Sequence, residues 1–182
     1  MRIKSHSRKL AGLGTAVILC TASLCWAAGD ELSRGDKQFL QDASELALGE
    51  IELGKLAQSN GSSPDVKQLG NKLVADHTKS LNELKAIATA KRIGLDWKLT
   101  TQQSRLLSAF ENKSGAEFDK EFREQVGKDN EKAIKIFQDT AKNTKDYDVR
   151  EYAGKSLVAL RTHRLMAAGH GAPEAVGERT AR

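Results

Sequence analysis

Three polar residues, Glu50, His77 and His163, stand where helical spacing would place apolar ones. An imidazole inside an apolar stripe must find hydrogen-bond partners or a metal, because burying it unpaired is costly. One carboxylate and two imidazoles form a ligand set suited to zinc or a non-haem iron centre. Asp76, next to His77, and Asp129 are placed to add a ligand or to orient a histidine. The same residues also suit a buried polar network, in which Glu50 pairs with one or both histidines and fixes the register of a helical bundle. A di-iron carboxylate site needs Glu-x-x-His on two helices, and here Val74 and Leu160 occupy the positions three before the histidines. The chain has no Gly-x-Ser-x-Gly elbow and no phosphate-binding glycine loop, so hydrolytic and nucleotide-dependent chemistry lack a motif, which points away from an enzyme.

The elements that must carry these residues are helical. Ser33 can cap a first helix running to about Asn60, with Phe39, Ala43, Leu46, Glu50, Leu53, Gly54 and Ala57 on one face. After the turn Asn60-Gly61-Ser62, Ser63 caps a second helix whose first position is Pro64 and which reaches Lys91. Its face reads Val66, Leu69, Gly70, Leu73, His77, Leu81, Leu84, Ile87 and Ala88. Counted from the turn, Glu50 and His77 are offset by roughly 7 Å, and their opposite lean toward their own helix starts closes part of it. The spacing therefore predicts a direct or water-bridged contact between them.

Arg92 to Leu99 reads as a long connection, and Thr100 with Gln103 forms a capping box before a short helix bearing Leu106, Leu107 and Phe110. Ser114 with Glu117 gives a second capping-box pattern, opening a helix from Gly115 to about Lys142 with Phe118, Phe122, Val126, Ala133, Ile134, Ile136, Phe137 and Ala141 as its apolar positions. Asp129 and Asn130 interrupt that face at mid-helix. Asp146 caps a last helix to near Ala168, where Val149, Tyr152, Ala153, Ser156, Leu160, His163 and Ala167 align. Residues 65–74 and 148–157 resemble each other weakly, and each follows a helix and a short turn. Two helical hairpins joined by a long connection predict an all-α, ferritin-like antiparallel four-helix bundle over residues 28–168, with an extra short helix in the connection.

Residues 1–27 have the pattern of a secretory signal peptide: Arg2, Lys4, Arg8 and Lys9 precede an apolar run from Leu10 to Trp26, and cleavage after Ala27 follows from the small residues there. Leu19 and Leu24 precede Cys20 and Cys25, which argues against lipoprotein processing; an uncleaved anchor is the other reading, on an apolar run short for a spanning helix. Removing the four basic residues of this leader from 29 leaves 25 Lys and Arg against 24 Asp and Glu, a balance of +1. The basicity of the chain thus belongs to its leader, and nucleic-acid binding has no basic stripe behind it. Both cysteines leave with the leader, so the mature chain has no disulfide, thiolate ligand or cysteine nucleophile. Residues 169–182 are small and polar, with the composition of a disordered tail.

The run Glu50 to Ala57, then Ser63 to Lys67, Asp76-His77, Phe118-Asp119 and Leu160 to His163 resemble the bacterial secreted proteins grouped as domain-of-unknown-function family 4142. The resemblance implies an exported, periplasmic ferritin-like bundle, in some members labelled an outer-membrane protein, without an established activity. It also implies a second Asp-His pair in the third long helix, where this chain has Asp129-Asn130 and so lacks one imidazole. Together these readings point to a non-enzymatic envelope or stress-related protein that binds a cell-envelope partner, the alternative being a metal-binding bundle built on Glu50, His77 and His163. No sequence motif sets an oligomeric state.

Overall fold

The computed structural model describes residues 32–171. The leader expected at residues 1–27 and most of the tail expected after residue 168 lie outside them. Five helices follow in order: α1 Arg34–Asn60, α2 Pro64–Lys91, α3 Thr101–Glu111, α4 Gly115–Asn143 and α5 Tyr147–Ala167. Their starts follow the capping chemistry legible in the sequence. Ser33 Oγ accepts from Asp36 N at 3.0 Å, Ser63 Oγ from Val66 N at 3.2 Å, and Asp146 Oδ1 from Val149 N at 3.1 Å. Thr100 and Gln103 close a reciprocal capping box at α3. Ser114 does not cap α4, because Gly115 follows it at φ +66° and the Glu117 carboxylate goes to Lys113 Nζ at 2.7 Å instead.

α1 with α2, and α4 with α5, form antiparallel hairpins, and the two hairpins close a ring through α2 against α5 and α1 against α4. One apolar cluster holds the carboxy-terminal half of α1, the amino-terminal halves of α2 and α4, and the end of α5. The other holds the opposite halves of the same helices. α2 and α4 therefore run the same way across the diagonal, and the segment between them crosses the length of the bundle. This is the ferritin-like plan with one long crossover and an extra short helix. The crossover is tied to α1: Gln41 exchanges hydrogen bonds with the Asp96 backbone, and Gln103 Nε2 donates to Glu45 O at 2.7 Å.

Within the first hairpin, Gly54 and Gly70 let the backbones of α1 and α2 approach closely. A Cβ on either would stand 2.7 Å from the carbonyl oxygen of the other. At the bundle end, Asp119 of α4 accepts from Ser62 N at 2.9 Å, Ser62 Oγ at 2.6 Å and Ser63 N at 2.8 Å, and Asn60 Nδ2 donates to Lys113 O at 2.9 Å. The α1–α2 turn is thereby fastened to the start of α4. At the other end Lys91 of α2 meets Asp146 at 2.6 Å and Asp148 at 2.7 Å, joining the two hairpins.

The predicted apolar faces are buried with few exceptions. Leu46, Ile87, Leu106, Ile134, Ala141 and Ser156 are only half-buried, and Ile136 is exposed because it lies on the outer side of α4. Met166, which the face of α5 did not include, is buried at 5 % exposure. Among the described residues no helix is long and apolar enough to cross a membrane.

Candidate functional site

Between the two apolar clusters lies one polar residue from each long helix: Glu50 of α1, His77 of α2, Asn130 of α4 and His163 of α5, none more than 5 % exposed. Each sits at the point where its helix passes from one cluster to the other. The sequence placed Glu50, His77 and His163 in apolar stripes, and the structure buries all three at mid-bundle.

Their partners differ from those expected. Glu50 Oε1 accepts from Asn130 Nδ2 at 3.3 Å, so the carboxyl turns toward α4 and makes no hydrogen bond to His77 among the described residues. Asn130 Nδ2 also donates to the Val126 carbonyl one turn back, at 2.9 Å. His163 Nε2 bonds Asp76 Oδ2 at 2.8 Å, and the His77 and His163 rings stand 5.3 Å apart, tilted by 45°. Asp76 is thus the partner that orients a histidine. Asp129 instead accepts from Gln125 at 2.7 Å on the same helix and acts on Glu50 only through its charge. The predicted trio divides into two pairs, Glu50 with Asn130 and His163 with Asp76, with His77 packed against the His163 ring.

Four atoms of this layer have no hydrogen-bond partner among the described residues: Glu50 Oε2, His77 Nε2, Asn130 Oδ1 and His163 Nδ1. Unmet, such groups cost about 1–3 kcal/mol each. Together that is comparable with the roughly 5–15 kcal/mol of net stability of a domain. Groups of this kind are met by ordered water or by a bound polar molecule.

Burial sets the charge state of the layer. It raises the Glu50 carboxyl well above its usual range, with the Asp129 charge adding to the effect, so Glu50 holds its proton where surface carboxylates are ionised. Burial, helped by the charge of His163 and opposed by that of Asp76, pushes His77 down to about 3, leaving a neutral imidazole. Asp76 is pushed up by burial, but hydrogen bonds from His163 and Lys72 prevail and hold it at about 2. An ionised Asp76 only accepts, so the hydrogen in its bond to His163 lies on Nε2. The other ring nitrogen, Nδ1, is the buried atom without a partner.

A cleft of about 330 Å³ opens between α2 and α5 and reaches this layer. His77, Asp76, Phe137, Tyr152 and Leu160 line it, with Ser80, Ser156 and Ala159 along its walls. Those three small side chains leave the space a larger pair would fill, which is the one hint of a cleft that the sequence carries. Ser80 Oγ and Tyr152 Oη are 2.7 Å apart, and burial, only partly offset by the hydrogen bonds of Ser80 and Ser156, keeps the phenol protonated with its pKa pushed up to about 12. Lys72, Lys79, Glu83 and Lys155 stand around the mouth. Asn130 as the partner of Glu50 was also missed; its signal was the polar break it makes in the face of α4.

Residues 23–169 match the sequence family described as a domain of unknown function, DUF4142. The chain belongs to the DUF4142 family. None of the curated proteins matches it in sequence. Among solved structures, a DUF305 fragment from Deinococcus radiodurans is similar with a TM-score of 0.66 and 10 % identity, covering 76 % of this chain and 95 % of that one. CopM in its Cu(I)-bound form is similar with a TM-score of 0.62 and 14 % identity, covering 74 % of this chain and 93 % of that one. At such identities these likenesses show the fold alone, a helical bundle shared with the DUF4142 chain.

Proposed function

We propose that this DUF4142 chain is an exported, non-enzymatic binding protein of the bacterial envelope that binds through the α2–α5 cleft and the polar layer beneath it. The observation that carries the reading is the double position of His77. It lines the cleft, and its Nε2 is one of the unpartnered atoms of the layer. A guest in the cleft thus lies against an uncharged imidazole whose Nε2 is buried at the edge of the layer. Export is supported by the leader pattern of residues 1–27, and a binding rather than enzymatic role by the lack of a nucleophile with an adjacent base in any motif. The test is native mass spectrometry of untagged protein from a periplasmic fraction, with Ala159→Phe beside it to fill the cleft. A chain beginning at Ala28 with a bound mass that the variant lacks supports the proposal; the same bound mass on both proteins, or an uncleaved chain, refutes it.

A second reading, metal binding, is favoured by one observation: the Asp76–His163 bond. A carboxylate on one ring nitrogen is the usual way to aim the other at a metal, and the His77 ring is adjacent. Zinc or non-haem iron would suit imidazole and carboxylate ligands. The likeness to a protein solved with Cu(I) adds copper to the ions worth testing. Here copper would rest on imidazoles, since Met166 is the sole methionine beyond Met1 and both cysteines lie in the leader. Against this reading, no group of three or more His, Cys, Asp or Glu among the described residues is placed to hold an ion, and Glu50 is turned to Asn130. Elemental analysis of the same preparation, with His77→Ala beside it, decides: near-stoichiometric zinc, iron or copper lost in the variant supports a metal, and none after reloading removes it.

A further inference from the structure

We propose that the cleft between α2 and α5 takes a small amphiphilic monoanion, its apolar body against Phe137, Leu160 and Tyr152 and its charged head beside Lys79. The proposal rests on the cleft being the binding site and names the class of ligand. The volume of about 330 Å³ is the lower end of the range of small-molecule sites, too small for a folded partner and ample for a chain or ring of modest size. Its inner wall is aromatic and aliphatic, which favours an apolar body over a sugar or a free inorganic ion.

Polar groups on the wall are few and directional. The Ser80 and Tyr152 hydroxyls are bonded to each other on this wall, with the Ser156 side chain beside the phenol, and together they form its polar patch toward a ligand oxygen. At the mouth, three ammonium groups face two carboxylates. Lys72 is held by Asp76 at 3.1 Å and Lys155 by Glu151. Lys79 makes no ion pair with any described residue, so its charge is free for a ligand. Asp76 is also engaged by His163, while Glu83, which interacts electrostatically with Lys155, would repel a second negative charge. Lys79 is then the one ammonium group at the mouth with no carboxylate at ion-pair distance, a partner for one negative charge and not for two.

The test is calorimetric titration of the full mature chain with decanoate and decylammonium, each below its critical micelle concentration, and with decanol below its solubility limit. These probes share a tail and differ in head group. Decanoate is expected to bind one per chain, with decanol and decylammonium at least about fivefold weaker, the size of one partly desolvated charge contact. Lys79→Gln should weaken decanoate by a similar factor and leave decanol unchanged. Ala159→Phe should abolish binding, and Lys135→Gln, remote on the exposed face of α4, should change nothing; far-UV circular dichroism and Tm verify that each variant is folded. Decylammonium or decanol binding as tightly as decanoate, with loss in Ala159→Phe, overturns the anion and leaves the cleft as the site. No binding of any probe, or binding that Ala159→Phe does not touch, overturns the cleft as well.

Discussion

Replacing Glu50 by Gln tests the charge state of the polar layer directly. Glu50 is 2 % exposed, and burial followed by the Asp129 charge raises its carboxyl well above 4.5 in the folded chain. Above pH 4.5 the unfolded chain releases this proton while the folded chain keeps it. The folded state then binds more protons, and stability falls as pH rises until the folded group itself ionises. The fall is about 1.4 kcal/mol per pH unit for as long as the folded carboxyl keeps its proton. Glutamine cannot ionise, keeps an Oε1 to accept from Asn130, and puts an N–H where the protonated acid has its O–H. Glu50→Gln is therefore expected to match the native chain near pH 4 and to gain on it as the pH rises, until the folded carboxyl ionises. Urea unfolding followed by far-UV circular dichroism at pH 4, 5, 6 and 7 measures this gain, with equal m-values as the check that both chains unfold alike. Asp129→Asn removes the second cause and should end the pH-dependent fall of the native chain at a lower pH. A Glu50→Gln effect that is the same at every pH, or destabilising at pH 7, would show that the buried carboxyl is ionised and refute the argument.

Three further outcomes follow from particular contacts. Gly70→Ala places a Cβ 2.6 Å from Ala57 Cβ and 2.7 Å from the Gly54 carbonyl, so α1 and α2 must part; a loss of about 1–3 kcal/mol is expected in urea unfolding despite the better helix propensity of alanine. Asp119→Ala removes three hydrogen bonds that fasten the α1–α2 turn to α4 and should cost about 1–2 kcal/mol. Its carboxyl is raised by burial but held below 3.8 by the stronger pull of Ser62 and Ser63, so this contribution is present above about pH 4 and shrinks as the pH falls further, which unfolding at pH 3 and pH 6 would show. Asp76→Asn takes the ionised partner from His163 and is expected to cost about 1.5–3 kcal/mol at pH 7, with a shift in the His163 ring resonances by NMR; an unchanged spectrum would count against the bond.

The sequence by itself determined the helices and what interrupts them. Ser33, Ser63, Thr100 and Asp146 mark helix starts because a side-chain oxygen can satisfy a free backbone N–H locally, within three residues. Spacing along one helix likewise marked Glu50, His77 and His163 as buried, since a residue shares its face with neighbours three and four positions away. The failure at Ser114 is also local in origin: a glycine at positive φ and a nearby lysine competed for the same groups. What only the tertiary structure decided is which buried groups meet. Glu50 was expected to reach the neighbouring helix of its own hairpin, where depth can be counted from a short turn. Instead it meets Asn130, 80 positions on, after a crossover whose path fixes the register of α4 against α1. Asp76 was marked as able to orient a histidine, but which one was open: consecutive helical residues point about 100° apart, and its carboxylate turns to His163 of α5. The cleft belongs to the same class, for it exists only where Ser80, Ser156 and Ala159 from two helices distant in the chain face each other. Face is a property of one helix and can be read along it, whereas partnership depends on the depth and rotation of two helices, which packing of the whole core sets.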